Sequence, residues 1–535
     1  MSAPHNVTGA HVIARTLKDL GVEVIFGLVG IPVVEIAEEA INLGIKFIAF
    51  RNEQACGPDS PDSVARGIKN AYRTCWYGRP GPCFIDLPAD LIEGSVPSDF
   101  QFPPLEALVV PSPPRSAGDP AAIARAYALL KSAKAPLIVV GKGAAYAKAE
   151  DSIRKLVDQS GIPFLPTPMG KGVVPDTHAG NTSTARSVAL KNADVVIIFG
   201  ARLNWILHYG EAPKWSPSVK LIQVDISAEE IGRNAGNADL GILGDINLVA
   251  NQLTELVQRD NWHYNPSPSP QSYLSLISAS AAKNEAKAEE KATKHTEPDG
   301  FLTYQRTFHI IRSVLNSLSP EEEGNIVYVS EGANTMDISR SAFSLLHPRQ
   351  RLDAGTYATM GVGLGYIVGV HAAYSLAGAP KKVVAFEGDS AFGFSAMEVE
   401  TLARYKIPAL IFVINNSGVY HGDSKTEDSW KALQQETVTG NAATELKDTT
   451  KGGLRSTSLT WETRYEQMST MCNGKGFFVK TEKELEEATR AGFLENDTVT
   501  IVNVVIEPGV GQKVSFGWQS SAGGKKKSSE ESPKL

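Results

Sequence analysis

The stretch from Lys381 to Gly418 constrains the fold of this chain more than any other. Lys381-Lys-Val-Val-Ala-Phe386 is an apolar run of strand length ending at Glu387. Ala396, Val399 and Leu402 then recur at helical spacing, and Leu410-Ile-Phe-Val-Ile414 is a second run of strand length. Strand, helix, strand in this order predicts a parallel pair joined by a right-handed crossover. Both carboxyl ends then lie at one rim of the sheet, where open α/β sheets bind ligands.

That geometry brings Asp389 and Asn416 to the same rim. A carboxylate, an amide oxygen and a nearby main-chain carbonyl, for which Gly418 is the candidate, are hard oxygen ligands. Mg²⁺ prefers such ligands, takes few of them from protein, and completes its octahedron with phosphate oxygens and water.

Gly388-Asp-Ser390 followed by Asn415-Asn416 resembles the cofactor motif of thiamine-diphosphate enzymes. Within that superfamily, Glu387-Gly-Asp-Ser-Ala-Phe-Gly-Phe-Ser395 and Met397-Glu-Val-Glu-Thr401 resemble the 2-hydroxyacyl-CoA lyases and their sisters, the oxalyl-CoA decarboxylases. Ser330-Glu-Gly-Ala-Asn-Thr-Met336, Arg351-Leu-Asp-Ala-Gly-Thr356 and Asn416-Ser-Gly-Val-Tyr-His-Gly422 agree, and the lyases are the nearer match. The resemblance runs from about residue 8 to about residue 506. It implies α/β architecture with three doubly wound parallel-sheet domains, thiamine diphosphate and Mg²⁺ as cofactors, and a homodimer or homotetramer. Asp389, Asn416 and Gly418 would hold the metal. Gly388, Ser390, Ala391, Val419 and Tyr420 would line the cofactor, and Met360 would be the apolar wedge that bends it. Ala358 stands where close relatives have glycine. Its role there belongs to a main-chain carbonyl, which alanine can supply if φ is negative.

Three blocks and their linkers are expected. Residues 1–100 form a pyrimidine-binding domain, 101–118 a linker rich in proline and serine, and 119–258 a central Rossmann-like domain. A polar connector, 259–300, precedes a diphosphate- and Mg-binding domain, 301–508, and a tail, 509–535, of disordered composition. The segment 427–455 is polar and reads as a surface excursion. In the central block, Asp225 follows an apolar run where a dinucleotide fold keeps its ribose carboxylate, but Gly141-Lys-Gly143 is not a full fingerprint. The resemblance makes Asp225 a candidate for an adenine nucleotide.

In the first block, Glu53 follows the apolar run Ile45–Phe50. By resemblance to the Arg-Asn/His-Glu-Gln signature, Glu53 would bond N1′ of the aminopyrimidine from an apolar surround. The text then departs from the family. Measured against the spacing that the resemblance implies, Gly78-Arg-Pro-Gly-Pro82 and Asp86-Leu-Pro88 follow far too soon, and about 85 to 90 residues after Cys56 are missing. The shortened sheet would expose unpaired edges.

Composition excludes several other classes. A net charge of −7 leaves no basic footprint for nucleic acid. Four cysteines form neither a disulfide framework nor a metal-spaced cluster, which suits a reducing compartment. No run of about 18 apolar residues predicts a membrane span. The ending Pro533-Lys-Leu535 is one residue from Ser-Lys-Leu, so a peroxisomal address is expected, with the cytoplasm as the alternative. The implied reaction is cleavage of a 2-hydroxyacyl-CoA to formyl-CoA and an aldehyde one carbon shorter, as in fatty-acid α-oxidation. Tyr420 and His421 are the positional candidates for handling the 2-hydroxyl proton. Oxalyl-CoA decarboxylation is the first alternative. A catalytically inactive subunit that binds thiamine diphosphate or CoA is the second.

Overall fold

The computed structural model describes residues 24–27, 33–49, 61–81, 104–440 and 453–510, together with Ala10, Ala14, Arg15, Lys18 and Asp19. Two compact units result, Met1–Arg115 and Ser116–Leu535.

In the first unit, β1 (Val24–Gly27) pairs in parallel with β2 (Lys46–Ala49), and the helix Val33–Asn42 connects them. The second of them falls within the apolar run Ile45–Phe50. Among the described residues the sheet stops at these two strands. Ala14, Ala40 and Ile45 are buried together beside it. Just past the point where family text breaks off, Pro61–Trp76 forms a helix. Its Lys69 donates to the Ala107 carbonyl at 2.6 Å, and Tyr77 donates to that of Pro111 at 2.9 Å. Much of the 101–118 linker is thereby tied to this unit.

The second unit holds two all-parallel sheets. The central one contains β3 (Pro136–Val140), β4 (Phe164–Pro166), β5 (Val195–Phe199), β6 (Lys220–Asp225) and β7 (Ile242–Leu243), in the order β4-β3-β5-β6-β7. Its strands read as near-continuous apolar runs, broken in β6 by buried Gln223, because both faces are covered. Ile138, Val140, Ile197 and Val224 face one core, while Leu137, Val139, Val196 and Leu221 face the other. Asp119 and Asp245 cap the helices Pro120–Ser132 and Ile246–Arg259 with their side chains.

The stretch 259–300 is more than a connector. Tyr273–Thr293 is a helix, and Tyr273 and Ile277, one turn apart, are buried against the central sheet. Its large apolar residues are confined to the first turns. The Lys- and Glu-rich remainder is largely exposed, and that half dominated the reading of the sequence.

The other sheet comprises β8 (Ile326–Glu331), β9 (Arg351–Asp353), β10 (Lys382–Gly388), β11 (Leu410–Asn415), β12 (Lys475–Val479) and β13 (Thr500–Val505). Its order is β12-β13-β11-β10-β8-β9. The chain passes from β8 outward to β9 and then returns across β8 to β10, so the direction of winding reverses between β8 and β10. That is the topological switch point, where the connections leave a crevice at the carboxyl edge. The surface excursion at 427–455 begins as a helix, Glu427–Thr439, with Trp430 and Leu433 buried. Trp430 donates to the Leu459 carbonyl at 3.0 Å, while residues 441–452 lie outside the described set.

Two helices on one face are locked together by charge. Glu482 accepts from Arg306 Nε at 2.9 Å and Nη2 at 2.5 Å, and from the Thr296 amide at 2.8 Å. The Arg306 guanidinium holds the Glu482 carboxyl down at about 2, below its unfolded value of about 4.3. A depressed carboxyl stabilises fully above the unfolded value and loses that contribution as pH falls through the folded one. Glu482→Gln should therefore cost about 2–3 kcal/mol at pH 7 by denaturant unfolding, because nearly buried Arg306 loses its counter-charge. The deficit should shrink between about pH 4.3 and pH 2. A pH-independent deficit would show that the charge is not what joins the helices.

Candidate cofactor site

Asp389 begins the helix Asp389–Ser395 directly after β10, and Asn416 follows β11. The strands pair in register, Gly388 beside Ile414, so the two residues meet at one rim as the spacing required. The buried Asp389 carboxylate accepts the Asn416 amide at 3.1 Å and the Gly418 amide at 3.2 Å on Oδ2, and the Ser390 amide at 2.7 Å on Oδ1. Gly418 N–H is also shared with Asn416 Oδ1 at 3.2 Å. Two side-chain oxygens of different strands therefore converge on a single donor. Burial pushes the Asp389 carboxyl up to about 7, with the Ser390, Gly418 and Asn416 amides pulling against it. A cation at this point would favour the ionised form.

The loop after β11 is shaped for this convergence. A Cβ on Gly418 would run into the His421 carbonyl. Ser417 and Tyr420 adopt left-handed conformations, with φ of 59° and 70°. The Tyr420 carbonyl accepts from Asn416 Nδ2 at 3.0 Å and from Asn334 Nδ2 at 3.1 Å, which ties the loop to the helix Ala333–Ala342. Val419 donates to the Thr457 carbonyl at 2.7 Å, and His421 Nδ1 lies 3.0 Å from the Gly422 carbonyl. Below, Asn415 and Asn503 hydrogen-bond each other at 3.1 Å, and both donate to the Thr463 carbonyl. No hydrogen bond to the Gly418 carbonyl forms among the described residues, so it is available as the third hard oxygen. Asp389, Asn416 and Gly418 thus fit a small divalent cation. Ser390 and Ala391 follow on the same helix, with Ala391 buried close to Gly332 at the end of β8.

Glu331 and Glu387 were given no role from sequence. They are register partners on β8 and β10, and both are fully buried. Glu331 accepts the amides of Gly361 and Gly363, whereas neither Glu387 oxygen has a hydrogen-bond partner among the described residues. Burial raises both carboxyls, Glu387 well above the usual range with Glu331 adding to it. Two adjacent buried carboxyls do not both ionise; the one with amide donors keeps the charge. A carboxylate closing each of two neighbouring apolar runs was the signal available in sequence.

Half-buried Met360 sits immediately before Gly361. Ala358 is left-handed, with φ 50° and ψ 39°, so the condition of negative φ under which alanine suits this position is not met. The turn from Gly355–Tyr357 back toward Gly361 demands the left-handed form, at a cost of about 1 kcal/mol for a residue bearing a Cβ. Glu53 lies outside the described residues. Asp225 ends β6 and accepts the Ser227 amide at 2.9 Å. The glycines at 141 and 143 pack against Gly200, where a Cβ on either would strike backbone.

A second cluster missed from sequence lies at the far end of the helix Ala333–Ala342. Arg340 pairs with Asp353 at 3.0 Å and with Asp337 at 2.5 Å. Lys171 pairs with Asp176 at 2.8 Å and donates to the Arg340 carbonyl. Fully buried Arg351 donates to Ser330 and Ser339, and Arg186 lies within electrostatic reach of Arg340. Four cations face three carboxylates.

The family models match in three places. The thiamine pyrophosphate enzyme central domain covers residues 123–253, the C-terminal TPP binding domain 331–504, and the N-terminal TPP binding domain 7–58. The chain is 38% identical to human 2-hydroxyacyl-CoA lyase 1, covering 96% of this chain and 97% of the relative. It is 36% identical to the Arabidopsis thaliana 2-hydroxyacyl-CoA lyase over 95% and 97%, and 32% identical to the Escherichia coli oxalyl-CoA decarboxylase over 94% and 95%. The chain belongs to the thiamine-diphosphate enzymes, in the group of 2-hydroxyacyl-CoA lyases and oxalyl-CoA decarboxylases. The human alignment spans 591 positions, yet 96% of 535 residues is about 514, so about 77 positions face no residue of this chain. The N-terminal match stops at residue 58, beside the break after Cys56.

Ala358→Gly should stabilise the chain by about 0.5–1 kcal/mol in denaturant unfolding, since glycine meets no Cβ penalty at this φ. A loss of stability would mean that the left-handed turn carries no strain.

Proposed function

We propose that this chain binds thiamine diphosphate with Mg²⁺ and acts as a carbon–carbon lyase on 2-hydroxyacyl-CoA, giving formyl-CoA and a shortened aldehyde. The carrying observation is the convergence of the Asp389 carboxylate and the Asn416 amide oxygen on one amide at the carboxyl ends of β10 and β11. When bound, the thiazolium supplies the electron sink for the carbanion left by bond cleavage. Asp389, Asn416 and the Gly418 carbonyl hold the metal and, through it, the diphosphate. Gly388, Ser390, Ala391, Val419 and Tyr420 line that end. Met360 supports the bend of the cofactor, the Ala358 carbonyl orients its amino group, and Glu53 holds a proton at N1′. Tyr420 and His421 are the positional candidates for the 2-hydroxyl proton.

The cationic cluster favours a phosphate-bearing substrate. Asn334 joins one end of its helix to the loop after β11, and Arg340 stands about 9 Å along the axis. Arg186, Arg340 and Lys171 suit the anionic part of an acyl-CoA. An adenine nucleotide beside Asp225, at the carboxyl edge of the central sheet, is a further proposal of this reading. Oxalyl-CoA decarboxylation would use the same residues.

A second copy of the chain completes the site in this reading, with Glu53 of one subunit serving the diphosphate end of another. The helix Gly363–Leu376 is apolar on all sides, yet Gly365, Gly369, Ala372 and Ala373 are exposed, as are nearby Phe394 and Met397. A helix of this composition is ordinarily buried all round. No helix among the described residues is long and apolar enough to cross a membrane. A peroxisomal address rests on Pro533-Lys-Leu535 alone, outside the described residues.

Asp389→Ala should abolish Mg²⁺-dependent thiamine diphosphate binding in calorimetry, and heats equal to wild type would sink the metal assignment. Turnover of 2-hydroxyacyl-CoA by the chain as written should be very weak. A reacting group misplaced by about an ångström costs on the order of a hundredfold, and the strands that steady Glu53 are missing. Inserting the absent segment from a full-length relative should restore aldehyde release, and Glu53→Gln should remove it again. Ordinary rates without the insertion would overturn the importance given to that segment, and CO₂ release from oxalyl-CoA in preference to aldehyde would reverse the substrate ranking.

A further inference from the structure

Glu331 performs a job that no residue of its own segment could do. The helix Gly363–Leu376 starts at Val362 with no side-chain cap, so its first amides have no local acceptor. The Glu331 carboxylate, from the end of β8, takes the Gly361 and Gly363 amides, one on each oxygen. Glycine is needed at both positions. Gly361 has φ 85°, and a Cβ on Gly363 would strike the Glu387 carboxyl and lie 2.8 Å from Glu331 Oε2. Two-point bonding to a planar carboxylate fixes the direction of the backbone as well as its distance.

What the clasp holds is the residue just before it. Met360 lies between left-handed Ala358 and the clasped Gly361 amide, so its main chain is fixed from both sides. Glu331 also stands beside Glu387, two residues before Asp389, on a strand hydrogen-bonded to β10. The carboxylate therefore ties the Met360 loop to β8, the strand paired with the one that delivers Asp389.

We infer that Glu331 is a positioning residue that sets Met360 at a fixed distance from the Asp389 site, so that the ring end of a thiamine diphosphate anchored there is held as well as its diphosphate. This rests on the cofactor reading given above. Glu331 itself touches no part of the cofactor. Its effect passes through the Gly361 and Gly363 amides.

The test uses the full chain and two ligands, one with the thiamine rings that Met360 would contact and one without them. Mg²⁺ with thiamine diphosphate engages both ends of the site. Mg²⁺ with inorganic pyrophosphate engages only the Asp389 end. Glu331→Gln keeps the size of the side chain but presents one acceptor where two are needed; Glu331→Ala presents none. Amide exchange by mass spectrometry should show the 359–364 segment exchanging at least about tenfold faster in both variants, a change of about 1.4 kcal/mol in opening. Thiamine diphosphate affinity, followed by tryptophan fluorescence, should fall about tenfold or more, while pyrophosphate affinity stays at the wild-type value. If Glu331→Ala does not fold, Glu331→Gln alone decides. Unchanged exchange at 359–364, or equal losses for the two ligands, would overturn the positioning role. A wild-type chain that binds neither ligand would overturn the cofactor reading and with it the role of Met360, a result distinct from wild-type binding that the variants leave untouched.

Discussion

The hydrogen bonds from Asn416 and Gly418 to the Asp389 carboxylate hold together the edge of the sheet on which everything else at this site depends. They join the turn after β11 to the start of the helix after β10, the two ends that a parallel crossover leaves side by side. A buried carboxylate is tolerable only when its oxygens are satisfied, and here backbone amides do that. The same bonds turn Asn416 so that its amide oxygen shares a donor with Asp389. The arrangement that makes the charge acceptable also gathers the hard oxygens.

Winding reverses between β8 and β10, and the consequence reaches past Asp389. The crevice opened by that reversal is floored by Glu331 and Glu387, one on each side of it. In an apolar sheet two adjacent carboxyls are a liability unless one is neutral and the other has donors. Glu331 receives its donors from the entering helix Gly363–Leu376, and that contact fixes where the preceding loop lies. The helix could not have been capped from its own segment, because Val362 offers no acceptor.

Sequence alone carried the reading where chemistry and periodicity coincided. Asp389 and Asn416 were legible because two apolar runs and a helical stripe fix both the strands and their direction. Gly418 followed from the need for a third oxygen, and the resemblance added the neighbouring residues. Glu331 and Glu387 were illegible in role because a carboxylate at a strand end looks the same whether it faces water or a buried partner; the register of β8 against β10 decides it. The conformation of Ala358 stayed open for a related reason. It stands three residues before the Gly361 amide that Glu331 accepts, a long-range contact that no local preference reveals. The helix Tyr273–Thr293 was read as a connector because its packing lies in two residues, Tyr273 and Ile277, ahead of a long charged run.

The shortened first block bears unequally on the two ends of the site. Asp389, Asn416, Gly418 and Glu331 all lie in the second unit, on a six-stranded sheet with cores on both faces. Every bond that satisfies them comes from within that unit, so the proposed metal and diphosphate binding would need nothing from the absent residues. The aminopyrimidine end is different in kind. The carboxyl proposed for it, Glu53, belongs by sequence to the first unit, where among the described residues two strands form the whole sheet and a short strand pair is marginal in water on its own. Binding energy gained at one end of a ligand accelerates chemistry only if the other end is held in register with the reacting group. A chain of this kind can therefore keep most of its cofactor affinity while losing most of its rate, and the separation of those two quantities is the physical signature of a loss confined to the first block.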